Sequence, residues 1–149
     1  MTIYLGIDFG KKRIGVAYCD ESETFCFGLP TIERRSSQAK EAVEAVLEYF
    51  KQYQADAIVM GLPVNMDGSI GFMGEAIYDF AEALRENSPD LTIFLMDERL
   101  TSKIAEQRIR ASGKSPSRNK GLIDQEAARQ ILEDFLRLDL NRRKALRYE

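Results

Sequence analysis

The sequence predicts an α/β fold, a mixed sheet with helices on both faces, and three observations predict it. The first third carries three short strand-like runs separated by turn residues. Two later runs are short and apolar, the first of them wholly so, as expected of interior strands covered on both sides. Between and after them lie segments with apolar residues at i, i+3, i+4 and i+7, the signature of helices docking one face. The resulting order is βββαβαβαα.

Positions 3–8 form the first strand and close on Asp8 and Gly10. Positions 13–19 alternate less strictly, and 24–32 form a third run ended by Leu29-Pro30-Thr31, with the turn between them at 20–23. A helix starts near Ser36 or Ser37, either of which can cap exposed N–H groups, and buries Ala39, Val43, Val46, Leu47 and Phe50. Ala57 to Met60 is an interior strand stopped by Gly61-Leu62-Pro63. A second helix covers about 70–86 with Met73, Ile77, Phe80 and Leu84 on one face, and 91–96 is another interior strand. A third helix, about 102–112, ends at Gly113. After a polar loop, 113–121, the last helix carries Ala127, Ala128, Ile131, Leu132 and Phe135, with Asp124 in its first turn. The aromatics Tyr4, Tyr18, Phe25, Phe27, Tyr49 and Phe50 read as core or partly buried rather than as base-stacking platforms.

A length of 149 residues with 44% apolar content suits one domain with an ordinary core, and no repeat or linker divides it. No apolar run approaches the roughly 18 residues of a membrane span, and no signal peptide is apparent, so a cytoplasmic protein without membrane association is expected. Cys19 and Cys26 lack metal-ligand spacing and read as reduced thiols. The chain has no histidine, which excludes Ser-His and Cys-His triads and imidazole metal ligands.

Net charge is −3, but it is segregated. Positions 99–120 carry seven bases and one acid, positions 141–149 net +3, and Lys11, Lys12 and Arg13 add +3. An acidic body with concentrated basic segments can hold a polyanion locally while staying soluble.

Three carboxylates stand at element ends beside these bases. Asp8 ends the first strand, Glu98 follows the last, and Asp124 lies three and four residues before the small Ala127 and Ala128, on the side facing the sheet. Two like charges about 4 Å apart repel by about 4 kcal/mol at an effective dielectric of 20. A convergent cluster therefore needs a raised pKa or a cation. An all-oxygen donor set favours Mg²⁺ or Mn²⁺, and such ions support phosphodiester cleavage without histidine. Each acid also has a plainer reading: Asp124 as an N-cap, Glu98 as a surface partner of Arg99 or Arg13, and Asp8 as a strand terminus. Asp97 competes with Glu98, because neighbours on a strand face opposite ways. Gly6 to Lys11 has the wrong spacing for a P-loop, and Asp8-Phe9-Gly10 is not a kinase element.

The motifs Gly6-Ile7-Asp8-Phe9-Gly10, Lys12-Arg13-Ile14-Gly15-Val16-Ala17 ending at Asp20, Gly61-Leu62-Pro63 through Asn65-Met66-Asp67-Gly68, Asp97-Glu98-Arg99-Leu100-Thr101, and Asp124 followed by Ala127-Ala128 and Ile131-Leu132 occur in that order. Taken together they resemble the YqgF family, RNase H-like proteins described as Holliday junction resolvases or pre-16S rRNA nucleases. The resemblance implies an RNase H-like five-stranded sheet, three strands antiparallel and two more parallel to the first, in a single domain over 1–149 with 141–149 a basic C-terminal tail. It implies that Asp8, Glu98 and Asp124 are the catalytic, metal-binding acids, which selects Glu98 over Asp97 by analogy. Lys11 stands where a small hydroxyl residue is common in the family, and Gln125-Glu126 add polarity beside the last acid.

The expected activity is a divalent-metal-dependent endonuclease, a hydrolase maturing the 5′ end of pre-16S rRNA, with Holliday junction resolution as the alternative. Lys11, Lys12, Arg13 and Arg99 are the candidate contacts near the scissile phosphate. Lys114, Arg118 and Lys120 are the candidate grip on the flanking backbone of structured RNA or branched DNA. Junction cutting would call for two active centres, hence at least a weak homodimer, which no sequence feature demonstrates. Two other readings compete: a non-catalytic nucleic-acid-binding module of the same fold, and an actin-like or sugar-kinase-like ATPase, for which the chain lacks a second lobe.

Overall fold

The computed structural model describes residues 2–20, 22, 25–35, 39–63, 71–97, 109–113 and 120–149. Strands β1 (Tyr4–Phe9), β2 (Arg13–Cys19) and β3 (Cys26–Glu33) form an antiparallel meander. Helix α1 (Lys40–Gln52), strand β4 (Ala57–Leu62), helix α2 (Phe72–Asn87) and strand β5 (Thr92–Asp97) follow, then α3 (Lys120–Leu136) and a short α4 (Leu140–Ala145). The sheet order is β3-β2-β1-β4-β5, with β4 parallel to β1 and β5 parallel to β4. This is the mixed five-stranded α/β sheet expected.

The period-2 pattern of the strands sorts side chains onto two faces. Leu5, Ile7, Phe9, Ile58, Met60 and Ile93 turn toward α1 and α2 and form the larger core with Val43, Val46, Ile77, Phe80 and Leu84. Tyr4, Ala17, Val59, Ala128, Ile131, Leu132 and Phe135 form the second core beneath α3. Burying a side chain such as Leu132 or Phe135 stabilises by about 1.5–3 kcal/mol, and both are fully enclosed.

The seat for α3 is made of small residues. Gly6 pairs with Ala17, and Ala17 with Gly28, giving a cross-strand row of minimal side chains beneath the helix. A Cβ on Gly6 would lie 2.5 Å from Leu132 Cγ, and one on Gly15 would lie 2.1 Å from the Asp124 carbonyl oxygen. The β2–β3 register shifts between Ile14 and Val16, opposite Pro30 and Thr31. Thr31 Oγ1 donates to the Gly121 carbonyl at 2.9 Å, tying the bulged strand to the first turn of α3.

Several expectations shift. Ser36 and Ser37 lie outside the described residues, and α1 begins at Lys40 with no side-chain cap at Ala39. Of the helix expected over 102–112, residues 109–111 are described and helical, and Gly113 follows with φ 83°, the left-handed geometry of a helix stop. Helix α3 starts at Lys120, so Gly121 is helical and Asp124 sits past the first turn. Phe25 is 61% and Phe27 44% exposed, against the reading of both as core or partly buried, because β3 is an edge strand on which Phe27 meets the rings of Tyr18 and Phe25. Residues 140–145 are helical, and Arg147 then bridges to Phe94 at the β5 edge. Among the described residues, no helix is long and apolar enough to cross a membrane.

Candidate active site

Asp8 is the penultimate residue of β1 and faces Gly15 across the antiparallel ladder. Partners in such a pair point to the same face, and Gly15 is the residue on which the Asp124 backbone rests. The missing side chain at Gly15 therefore lets α3 deliver Asp124 beside Asp8. An N-cap role for Asp124 is ruled out by its position beyond the first turn.

Arg13, on the same face of β2 two residues before Gly15, donates from Nε to Asp124 Oδ2 at 2.8 Å. Among the described residues no cation lowers the Asp8 carboxyl in the same way. Enclosure by protein, and then the charge of Asp124, push its carboxyl up from 3.8 to about 7. Near neutral pH the site thus holds a carboxylate, a carboxyl close to half-protonated, and one guanidinium. It can accept further positive charge, and its donors are oxygens. Those properties fit Mg²⁺ or Mn²⁺.

Among the described residues no third acid, cysteine or histidine joins this pair. Glu98 lies outside the described residues, as do Arg99, Lys114 and Arg118, and only the helical backbone of Lys120 is described. Asp97, the competing acid, ends β5 in an exposed position. Lys12 is exposed in the turn after β1, and its carbonyl accepts from Arg34 N–H at 2.8 Å. Lys11 turns the other way: its Nζ lies 4.9 Å from the centre of the Phe72 ring, on the α2 side of the sheet. The three bases of the β1–β2 turn therefore serve different surfaces.

Two residues at this edge escaped the sequence reading. Arg34 donates from Nη1 to the Gly10 carbonyl at 3.1 Å and lies 4.8 Å above the Phe9 ring, bracing the turn. Phe72 opens α2 and is 73% exposed. The pair Arg34-Arg35 at a strand end was the one available signal for the first. The second resembled an ordinary helix residue.

The thiols take no part. Cys26 is pushed up to about 12 by burial first and then by Glu133, so it stays protonated, and neither cysteine is in a disulfide.

Residues 2–138 match the RuvX family, described as Holliday junction resolvase. The chain belongs to the RuvX family. Curated relatives agree along the chain. A protein of Trichormus variabilis, provisionally named a pre-16S rRNA nuclease, is 42% identical over 97% of this chain and 95% of its own length. Relatives with the same provisional name from Synechococcus elongatus (45% identical, 89% of this chain and 87% of the relative) and Bacillus thuringiensis (42%, 89% and 96%) extend the likeness. Among solved structures, Thermus thermophilus RuvC in complex with a Holliday junction superposes with a TM-score of 0.56 at 12% identity, covering 88% of this chain and 92% of that one. The fowlpox virus resolvase bound to junction DNA gives 0.53 at 13% identity, covering 90% and 96%. At such identities these two establish the shared RNase H-like fold. RuvX membership makes the chain a nuclease-family hydrolase.

Proposed function

We propose that this protein is a divalent-metal-dependent endonuclease whose catalytic acids are Asp8, Glu98 and Asp124, and that its process is maturation of the 5′ end of pre-16S rRNA. The observation that carries the reading is the meeting of Asp8 and Asp124 at the carboxyl end of β1, with Asp8 raised to about 7 by burial and then by the charge of Asp124. The names carried by relatives at 42–45% identity support rRNA as the substrate.

Asp8 and Asp124, with Glu98 from the end of β5, would hold Mg²⁺ or Mn²⁺, which supplies activation of water and stabilisation of the leaving oxygen. The chain's own groups do the rest. Arg13, already within hydrogen-bond reach of Asp124, is placed to meet a non-bridging phosphate oxygen. Asp8 must lose its proton before it can bind a cation, so activity rises as pH passes through about 7. Arg99, Lys114, Arg118 and Lys120 would hold the flanking backbone without reading sequence, which makes binding weaken steeply with salt.

A second reading, resolution of four-way DNA junctions, is favoured by the family description. It requires two sites working together and hence a homodimer. The deciding experiment places precursor 16S rRNA beside a four-way DNA junction, with wild type and Asp8→Asn compared in Mg²⁺ and Mn²⁺. Cleavage of the rRNA alone supports maturation, and paired nicks in the junction support resolution. Salt-insensitive binding with no cutting of either substrate would refute the nuclease reading.

A further inference from the structure

The end of β1 separates two surfaces. Asp8 faces α3, whereas the next residue, Phe9, points to the other side and packs on Phe80 of α2 with ring centres 4.6 Å apart. Beside Phe9 opens a cleft of about 400 Å³, lined by Phe9, Lys11, Arg34, Phe72, Asp79 and Phe80. Small-ligand sites span roughly 300–1,000 Å³, so the space suits one flat group with its attached sugar.

The chemistry of the walls narrows the occupant. Phe72 leaves 73% of its surface in water at the cleft, an aromatic surface open to a stacking partner. The Lys11 ammonium sits 4.9 Å from that ring, and the Arg34 guanidinium lies over Phe9 while anchored to the Gly10 carbonyl. Rings and cations therefore alternate around one opening. A free phosphate would use the cations and leave the rings bare. An apolar peptide side chain would use the rings and strand the cations. A nucleobase with its phosphate uses both, because bases stack on aromatic rings and on guanidinium planes while the phosphate meets an ammonium. Asp79 on the α2 wall disfavours the phosphate on its side and directs it toward Lys11.

We propose that this cleft, on the opposite face of β1 from the paired acids, takes an unpaired nucleobase of the substrate strand, stacked on Phe72 and the Arg34 guanidinium with its phosphate at Lys11. The proposal rests on the nuclease reading and deepens it. Asp8 and Phe9 are consecutive, so a strand draped over this sheet edge can present a phosphodiester to one face and a neighbouring base to the other. The subsite asks for a single-stranded or splayed nucleotide beside the cut, since a paired base cannot enter.

The test uses short single-stranded RNA and DNA oligonucleotides carrying 2-aminopurine at successive positions, bound by the full chain in the Asp8→Asn background so that nothing is cut. Stacking should quench the probe at one position. Phe72→Ala should abolish that quench and weaken binding about ten- to a hundredfold, the range of base–aromatic stacking, while Phe72→Tyr retains both. With an abasic site at the same position, Phe72→Ala should cost nothing further. Because Phe72 is exposed, an unchanged melting temperature checks that the variant folds. Oligonucleotide binding that ignores Phe72→Ala with base and abasic strands alike overturns the subsite alone, and leaves the cleft to an apolar peptide. Failure of the protein to bind any oligonucleotide overturns the nuclease reading and the subsite together.

Discussion

Arg13 on β2 and Asp124 on α3, separated by 111 positions in sequence, are joined by a 2.8 Å hydrogen bond from guanidinium Nε to carboxylate. This contact places a fixed cation where a divalent ion would otherwise compete for Asp124. Arg13→Gln should therefore have a split effect. Affinity for Mn²⁺, measured by calorimetry, should rise several-fold because the acids lose their resident counter-charge. The cleavage rate should fall on the order of 10²–10³, as when a donor to a developing phosphate charge is removed. A parallel loss of both would place Arg13 in support of the metal site instead.

The titration of Asp8 links stability to pH with a definite sign. Its carboxyl is raised from 3.8 to about 7 by burial and by Asp124. A raised acid binds its proton more tightly when folded, so its contribution is complete below about pH 4 and is lost as pH climbs to 7. Metal-free protein should lose stability across that window. Asp8→Asn should melt higher than wild type at pH 8 in EDTA. After discounting for screening at a partly accessible group, the gain is on the order of 1–3 kcal/mol, at about 2–4 °C per kcal/mol for a chain of this size. Saturating Mg²⁺ should shrink or reverse the difference, since the ion stabilises only the chain that can bind it. Thermal melts at pH 4, 6 and 8, with EDTA and with Mg²⁺, check each limb.

Gly15 sets the separation between sheet and helix at the site. An added Cβ would fall 2.1 Å from the Asp124 carbonyl, which is backbone and has no rotamer to swing away. Gly15→Ala should cost about 1–3 kcal/mol and reduce cleavage by more than that stability loss explains, because α3 must lift and take Asp124 with it. Gly28→Ala is the control. There the nearest atom, 2.8 Å away, is Oε1 of the flexible Gln125 side chain, so activity should change little. Equal losses from the two variants would deny Gly15 a positioning role.

The parts of the fold legible in the sequence are those written in periodicity. The apolar run of β1, the apolar block of β4 and the stripe of α3 each encode burial directly. Asp8 and Asp124 were legible because a carboxylate at the rim of a buried element is chemically costly. Other features depended on tertiary contacts that no local pattern carries. Gly121 reads as loop, yet its carbonyl accepts from Thr31, 90 positions earlier, and the helix runs through it. Phe25 and Phe27 resemble core residues until the sheet order puts β3 at an edge. Arg34 and Phe72 lie far apart in sequence, and only the packing of α2 beside the β1–β2 turn makes them walls of one cleft. The charged run 140–145 has no apolar stripe to announce a helix, and its cap, Asp139 accepting from Arg142 N–H at 2.8 Å, is local and polar.

The last four residues protect the outer strand. Leu95 N–H donates to the Leu146 carbonyl at 2.9 Å and Tyr148 N–H to the Ile93 carbonyl at 2.8 Å, so the terminus pairs with the free edge of β5. Arg85 holds it there, with Nη1 2.8 Å from the Glu149 carbonyl, and the Tyr148 hydroxyl donates to Glu82 at 2.7 Å. An uncovered strand edge is a template for pairing with another chain. Ending the chain after Ala145 should lower the melting temperature by several degrees, since the two backbone bonds and the Arg85–Tyr148 contact are each worth about 0.5–1.5 kcal/mol. It should also turn the protein from one species into concentration-dependent oligomers on size-exclusion chromatography with light scattering. Lys at Ile93 would bury a charge and Phe94 packs on Tyr4 and Phe135, so the rescue belongs at Thr92, half-buried at the start of β5. Thr92→Lys in the truncated chain should suppress the association by like-charge repulsion across the new edge. A truncated chain that stays monomeric at high concentration would show that the terminus stabilises β5 without guarding it.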